Sequence, residues 1–188
     1  MCGLIGGWAQ HSSEEHLRGQ LSAGMSRLAH RGPDDRGQDF ISVAGGMLAL
    51  GHTRLSIIDL STGGHQPMHS PEGRYTIIFN GEIYNYRELR QELKAQGHAF
   101  RTDSDTEVLL AAWSHWGLDS LPRLQGMFAF AIFDHTTKTL TLVRDAFGIK
   151  PLYYWHDAGG IRFASEIPAL LQLITRKPVL NLQRTYDY

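Results

Sequence analysis

The chain opens on the stretch Met1-Cys2-Gly3-Leu4-Ile5-Gly6-Gly7-Trp8-Ala9. Its apolar run predicts a buried strand over residues 3–9, which would hold in place a terminus of the kind that is usually disordered. Cys2 is the only cysteine in the chain. If Met1 is removed, Cys2 carries a thiol nucleophile and a free α-amine that can act as its base. The alternative hypothesis is a cysteine without a role at a frayed end.

The bulk composition narrows the class of protein. A length of 188 residues fits one domain, and 42% hydrophobic with 20% charged residues is typical of a soluble globular protein. A net charge of -1 offers no basis for binding nucleic acid or an acidic membrane surface. We find neither a spanning apolar run nor a signal peptide, and one cysteine suits a reducing compartment. These features predict a cytoplasmic protein without nucleic-acid or membrane partners.

The ten histidines raise the question of a metal site. His65 and His69 flank Pro67, which disfavours a helical pair of ligands, and there is no second cysteine. We therefore expect no metal.

Periodicity and turn signals predict an α+β protein in which sheets pack together with helices on the outside. Leucine and methionine recur at helical spacing after Ser12-x-x-Glu15, a capping-box sequence. β-branched and aromatic runs between turn residues predict strands. The predicted elements are helices over 14–29, from Asn85 to Gly97, from Ser104 onward and over 167–173; strands over 3–9, 40–43, 47–50, 75–79, 127–133, 140–143, 152–155 and 161–164; and loops over 30–37, 61–73 and 144–151.

A reactive thiol needs an oxyanion hole as well as a base. The pKa of an α-amine, about 7.7–8.0, suits it to take the proton of a thiol whose usual pKa is about 8.5. Asn80-Gly81 is the candidate hole, because an amide side chain and a glycine N–H can point at one oxygen. The competing interpretation is a hairpin turn, although a capped helix rather than a return strand follows.

Three charged residues are candidates for binding a substrate. Arg54 lies in an apolar run, where it either pairs with a carboxylate such as Asp59 or binds a substrate carboxylate. Asp105 at a helix start is explained by capping alone, and Glu82 by solvent exposure, but both acids suit an ammonium group. Together these residues describe a free amino acid with a carbonyl further along. Glutamine fits that description, as do other amino-acid amides.

Several motifs occur in a family order over nearly the whole chain. They resemble the class II glutamine amidotransferase domain, an N-terminal-nucleophile hydrolase, and in particular the amino-terminal half of glutamine-hydrolysing asparagine synthetases. The matching segments are Met1-Cys2-Gly3, His30-Arg31-Gly32-Pro33-Asp34, Arg54-Leu55-Ser56-Ile57-Ile58-Asp59, Asn80-Gly81-Glu82-Ile83-Tyr84-Asn85-Tyr86, Ser104-Asp105-Thr106-Glu107, Gln125-Gly126-Met127-Phe128-Ala129-Phe130-Ala131, and Arg144-Asp145 through Gly148-Ile149-Lys150-Pro151-Leu152-Tyr153-Tyr154.

The resemblance implies a fold and a catalytic apparatus. The fold is a four-layer αββα sandwich of two antiparallel sheets flanked by helices. The nucleophile would be Cys2 after removal of Met1, and the oxyanion hole would consist of Asn80 and Gly81. The product would be glutamate plus ammonia.

The resemblance also implies how glutamine is bound. Its carboxylate would meet Arg54, and its amino group would meet Glu82 and Asp105. Backbone groups of Leu55 and Ile57 would form a wall beside it. The implied domain needs no cofactor of its own.

Fewer residues carry the assignment to a subfamily. Arg31-Gly32-Pro33-Asp34 and Glu82-Ile83-Tyr84-Asn85-Tyr86 favour the asparagine synthetase type, which also includes amidotransferases of polysaccharide and secondary-metabolite pathways. The ATP-dependent synthetase domain of that family, with its Ser-Gly-Gly-x-Asp-Ser loop, does not occur in this sequence. We therefore expect an amidotransferase domain over 1–174 and a linker, or the start of the missing domain, over 175–188.

The hypotheses differ in what happens to glutamine. In the first, the chain is a glutaminase whose ammonia passes to aspartate or a related acceptor in a C-terminal domain that uses ATP and magnesium. In the second, it senses glutamine without turnover, and in the third it hydrolyses another amide. The acceptor and the oligomeric state stay open, with a homodimer among the expectations.

Overall fold

The computed structural model describes residues 1–175, Val179 and Gln183. Over these residues the chain forms strands and α-helices, with 3-10 helices at Thr62–Gly64 and Gly117–Arg123. The elements are β1 (Gly3–Gln10), α1 (Glu14–Arg27), β2 (Asp35–Val43), β3 (Gly46–Arg54), β4 (Met68–His69), β5 (Tyr75–Ile83), α2 (Tyr86–Ala95), α3 (Asp105–Trp116), β6 (Gly126–Asp134), β7 (Thr139–Arg144), β8 (Tyr153–Asp157), β9 (Gly160–Ala164) and α4 (Ile167–Leu170).

The strands form two antiparallel sheets. The five-stranded sheet has the order β2-β3-β1-β9-β8, and the four-stranded sheet has the order β4-β5-β6-β7. β1 is the central strand of the larger sheet: Gly3 pairs with Thr53 on one side, and Ile5 pairs with Ala164 on the other. The predicted N-terminal strand is thus confirmed, and it is fixed by neighbours on both sides.

Three apolar clusters separate four layers. Between the sheets pack Leu4, Leu50, Ile78 and Phe133, among others. The other face of the larger sheet is covered by α1 and α4, while α2 and α3 cover the outer face of the smaller sheet. Burial of the apolar side chains between these layers is the main driving force for folding. The expected αββα sandwich is therefore confirmed.

The predicted cap of the first helix was wrong, and the side chain of Asn85 does not cap the helix that follows it. The first helix is capped by Ser13, whose hydroxyl accepts from the N–H of His16, and not by Ser12. Asn85 precedes α2, but its side chain makes no capping hydrogen bond. Its Nδ2 donates to Arg123 O, and its Oδ1 accepts the N–H of Gln125. These long-range partners compete with the local cap, which sequence spacing cannot show.

Three strands extend at one end by about four or five residues beyond their predicted limits. β2 begins at Asp35 and β3 continues to Arg54, because these two residues pair with each other at the end of the ladder. β5 continues to Ile83 alongside β6. Asn80 and Gly81 therefore lie inside a strand, and the hairpin-turn interpretation was wrong. Pairing with a neighbouring strand has overridden the turn propensity of Asn-Gly.

The predicted linker over 175–188 lies outside the described residues, apart from Thr175, Val179 and Gln183. Within the described part of the chain, none of the helices combines the length and the apolar character that crossing a bilayer requires.

Candidate active site

A pocket of about 170 Å³ lies where β1, β3 and β5 meet the loop after β3 and the start of α3. Every residue that the sequence analysis proposed for the site lines it: Cys2, Arg54, Leu55, Ile57, Asn80, Gly81, Glu82 and Asp105. Residues as far apart in sequence as Cys2 and Asp105 are thus brought to one cavity. Its size suits a small molecule.

The thiol of Cys2 lies against the backbone of Leu55. The N–H of Leu55 points to Sγ at 3.4 Å, and the thiol faces Leu55 O at 3.7 Å. Burial raises the pKa of Cys2, and the Leu55 contact offsets only part of this effect. The thiol is therefore the resting form at neutral pH, and a base is needed to produce the thiolate. Met1 lines the same pocket.

Arg31 anchors the residue that carries the thiol. Its Nε donates to Cys2 O at 2.9 Å, and its Nη1 pairs with Glu166 at 2.9 Å. Only 7% of the Arg31 side chain is exposed. No functional role for Arg31 is predicted from the sequence. A buried arginine within a turn-rich charged stretch has no distinctive local pattern, and its partners are remote in sequence.

Asn80 lines the pocket and has a buried hydrogen-bond donor without an acceptor. The residue is 1% exposed, and its Nδ2 has no partner among the described residues. Four other buried side-chain nitrogens share this property, on Trp8, His52, Arg90 and Arg162, but none of those residues lines the pocket. A buried donor without an acceptor is costly, which indicates that a ligand atom belongs there.

Gly81 supplies a second donor by the geometry of its strand. In an antiparallel pair, the backbone groups of alternate residues point away from the partner strand. The N–H groups of Phe79 and Ile83 point away from β6, since side chains accept both of them. Gly81, midway between them, points the same way, and none of the described residues accepts its N–H. Asn80 and Gly81 thus each carry a donor for which the described part of the chain offers no acceptor.

Arg54 keeps its charge unpaired. Its guanidinium donates to the backbone carbonyls of Asp59 and Ser61, the latter at 2.7 Å. It makes no salt bridge with the Asp59 carboxylate or with any other acid of the described chain, so that proposed pairing was wrong. A Cβ on Gly64 would overlap the guanidinium, so glycine is required for this close approach. The arrangement holds a buried cation ready for an anionic ligand.

Asp105 and Glu82 give the pocket its acidic side. Asp105, at the start of α3, accepts the N–H of Ile83 on Oδ2 at 3.0 Å. Burial raises the pKa of Asp105 to about 6, and the nearby Glu82 charge adds to this shift. Ser104 caps α3 by accepting the N–H of Thr106. Two acids here suit a cationic group.

The cost of burying the Asp105 charge predicts that Asp105→Asn stabilises the protein. A carboxyl whose folded pKa lies above its unfolded value binds more protons when folded, so its contribution to stability declines as pH rises from about 4 to about 6. At pH 7.5 we expect the variant to be more stable by about 1–3 kcal/mol, while near pH 3.5 the two proteins should differ little. Urea unfolding at both pH values measures this difference.

The control for that comparison is Asp103→Asn, a neighbouring acid whose side chain is 94% exposed. It should leave the free energy of unfolding unchanged at both pH values. A destabilised Asp105→Asn protein at pH 7.5 would contradict the conclusion that burial of this charge is unfavourable.

Further residues of the pocket carried no sequence-based assignment. Gln66 and Lys150 are both buried and line it, as do Thr106 and Met127. Ile57, by contrast, is 69% exposed at the pocket's rim. Across the described residues, His, Cys, Asp and Glu form no group of three that could hold a metal ion.

The fold is that of the N-terminal-nucleophile hydrolases. The solved structure of glutamine phosphoribosylpyrophosphate amidotransferase from Bacillus subtilis superimposes with a TM-score of 0.74, covering 92% of this chain and 43% of that one at 24% identity. A family model described as "Glutamine amidotransferase domain" matches residues 1–188. The chain therefore belongs to the glutamine amidotransferase domain family.

Curated relatives are more similar but much longer. Glutamine-hydrolyzing asparagine synthetase 1 of Bacillus subtilis is 45% identical over 91% of this chain, which spans 27% of that protein. Amidase chry2 of Gibberella zeae is 40% identical to this chain. The match covers 81% of this chain and 22% of the amidase. The chain thus spans about a quarter of the length of each of these two relatives.

Proposed function

We propose that this chain hydrolyses the side-chain amide of L-glutamine to glutamate and ammonia. The observation that carries the proposal is the unpartnered Nδ2 of Asn80, which lies in one pocket with the Cys2 thiol. A nucleophile and a preorganised donor for an oxyanion are the two requirements of acyl transfer. Membership of the glutamine amidotransferase domain family supports the same chemistry.

The proposed reaction begins with removal of Met1, which frees the α-amine of Cys2 and opens space in the pocket. The amine takes the thiol proton, directly or through a water, and Sγ attacks the amide carbon. The carbonyl oxygen becomes an oxyanion and receives hydrogen bonds from Asn80 Nδ2 and Gly81 N–H. The protonated amine then gives its proton to the departing nitrogen, so that ammonia leaves and a thioester remains.

The thioester is hydrolysed by the same groups. The α-amine takes a proton from a water, whose oxygen attacks the thioester carbon, and the oxyanion again occupies the Asn80–Gly81 site. Collapse of this intermediate releases glutamate, and the proton returns to Sγ. One residue thereby serves as both nucleophile and base in both halves of the reaction.

The charged side chains account for selectivity toward a free amino acid. Arg54, which lacks a carboxylate partner among the described residues, would bind the α-carboxylate of glutamine. Asp105 and Glu82 would bind its α-ammonium group. These contacts hold both ends of the amino acid, so the side-chain amide extends toward Cys2.

The ammonia would be used in a further domain of a longer protein. We propose transfer to aspartate or a related acceptor in a C-terminal domain that uses ATP and magnesium, and the name and length of the Bacillus subtilis relative support this. We also propose a cytoplasmic location. A homodimer remains the working expectation for its assembly, which sedimentation can measure.

A substrate panel tests the proposed function. With removal of Met1 verified by intact mass, the purified chain should release equal amounts of glutamate and ammonia from L-glutamine. Glutaminamide lacks the α-carboxylate, N-acetylglutamine lacks the ammonium group, and asparagine is one methylene shorter. Each should be a poorer substrate by about 100-fold in kcat/KM, because a buried charge is left unpaired or the amide falls short of Cys2.

Two results would overturn the proposal. Binding of glutamine by calorimetry without any glutamate would make the chain a sensing module. Equal hydrolysis of N-acetylglutamine or glutaminamide would show that Arg54, Asp105 and Glu82 do not read a free amino acid.

A further inference from the structure

The strand that presents Asn80 and Gly81 is an edge strand along most of its length. β4 pairs with β5 only at Thr76 and Ile77, so the outward backbone groups beyond Ile77 have no neighbouring strand. Outward groups of an edge strand in a buried position need other partners. In this protein, side chains from elsewhere in the fold supply them.

Both backbone groups of Phe79 are held by buried side chains. Gln66 Oε1 accepts the N–H of Phe79 at 2.6 Å, and His52 Nε2 donates to Phe79 O at 2.9 Å. Gln66 is 4% exposed and His52 is 1% exposed. Burial lowers the pKa of His52 to about 4, so the imidazole is neutral at neutral pH and carries its proton on Nε2.

Gln66 also connects this strand to the substrate side of the pocket. Its Nε2 donates to Thr106 Oγ1 at 3.2 Å, and Thr106 follows Asp105 in α3. Asp105 itself accepts the N–H of Ile83. Phe79 and Ile83, the residues two positions before and after Gly81, are therefore both tied to the start of α3. The N–H of Gly81 lies between these two ties.

We propose that Gln66 is a positioning residue of the oxyanion hole, holding β5 against α3 so that Asn80 Nδ2 and Gly81 N–H meet the same oxygen. This inference rests on the proposed glutaminase function. Gln66 lies in the loop between β3 and β4, and its side-chain amide bridges β5 and α3. Displacement of oxyanion donors by even a fraction of an ångström weakens stabilisation of the transition state.

The test compares Gln66→Met with Ser70→Ala. Methionine keeps the length of glutamine but neither hydrogen bond. Ser70 Oγ accepts the N–H of Tyr75 at 3.0 Å, a buried bond to the same strand five residues before Asn80. Both variants should lower Tm similarly. Only Gln66→Met should lower kcat, by about 10- to 100-fold, with KM changed by less than about threefold.

Two further measurements separate positioning from general damage. Alkylation of Cys2 by iodoacetamide needs no oxyanion hole, so its rate should stay within about twofold of wild type in both variants. The amide resonance of Gly81 in a 1H–15N spectrum should shift in Gln66→Met and remain in place in Ser70→Ala. Thr106→Val, which removes only the anchor of the Gln66 amide, should give a smaller loss of kcat and serves if Gln66→Met fails to fold.

The proposal is overturned if Gln66→Met keeps wild-type kcat, or if Ser70→Ala loses kcat to the same extent. A wild-type chain that hydrolyses no glutamine would instead remove the proposed function. In that case the Gly81 resonance still decides whether Gln66 positions this strand.

Discussion

In a Cys2→Ala variant, glutamine hydrolysis should fall by about 10⁴-fold or more, with glutamine binding retained within a few-fold. Without Sγ, no atom in the pocket can form the thioester, and the remaining donors stabilise only a slow attack by water. The groups proposed to bind the two ends of glutamine, Arg54 and Asp105, are unchanged. The rate of glutamate release and the Kd from calorimetry measure the two effects separately.

The Cys2→Ala variant and the wild type should have the same N-terminal processing. Alanine is small, as cysteine is, so Met1 should be removed from both proteins, and intact mass verifies it. A wild-type chain with an uncleaved N-terminal tag is the matched control: it keeps the thiol but has no free Cys2 amine, and it too should be inactive. Substantial hydrolysis by Cys2→Ala would refute the assigned nucleophile.

The second largest effect is expected for Asn80→Ala, with kcat reduced by about 10²- to 10³-fold and KM nearly unchanged. The Nδ2 of Asn80 has no partner within the described part of the chain, so its removal breaks no hydrogen bond donated by that nitrogen in the resting protein. Its donor is used only when negative charge develops on the substrate oxygen. A loss confined to kcat is the signature of such an interaction.

The controls for Asn80→Ala address the strand and the nucleophile. Thermal unfolding should be cooperative, and the rate of Cys2 alkylation by iodoacetamide should match that of wild type. Asn80→Asp preserves the shape of the side chain but replaces the donor with an acceptor, so it should be at least as impaired as alanine. A rise in KM with unchanged kcat would assign Asn80 to ground-state binding instead.

Site residues can be predicted from the sequence where a reactive or charged residue occurs beside or within an apolar run. Cys2 at the start of an apolar run and Arg54 within one both invited a functional explanation, and both line the pocket. The αββα architecture came from the resemblance to a known family, whereas periodicity alone led only to packed sheets with helices outside. Strand positions followed from apolar runs, since these report burial directly.

Other features depend on contacts between remote segments. Asn80-Gly81 has strong turn propensity, and only the pairing of β5 with β6 shows that it lies within a strand. Arg31 and Gln66 act through backbone groups of Cys2 and Phe79, 29 and 13 residues away. Any residue type can offer a backbone group, so the sequence carries no mark of these partners.

The central position of β1 has a consequence for how the protein would lose the proposed activity. Chain termini usually fray, and their amides exchange with solvent through small local openings. Here the terminus leads directly into a strand that pairs with β3 from Gly3 onward and with β9 from Ile5 onward, so displacing β1 requires opening the middle of a five-stranded sheet. The amides that follow the nucleophile should exchange at rates set by global unfolding, and the half-life of activity on heating should equal the half-life of the folded sheet.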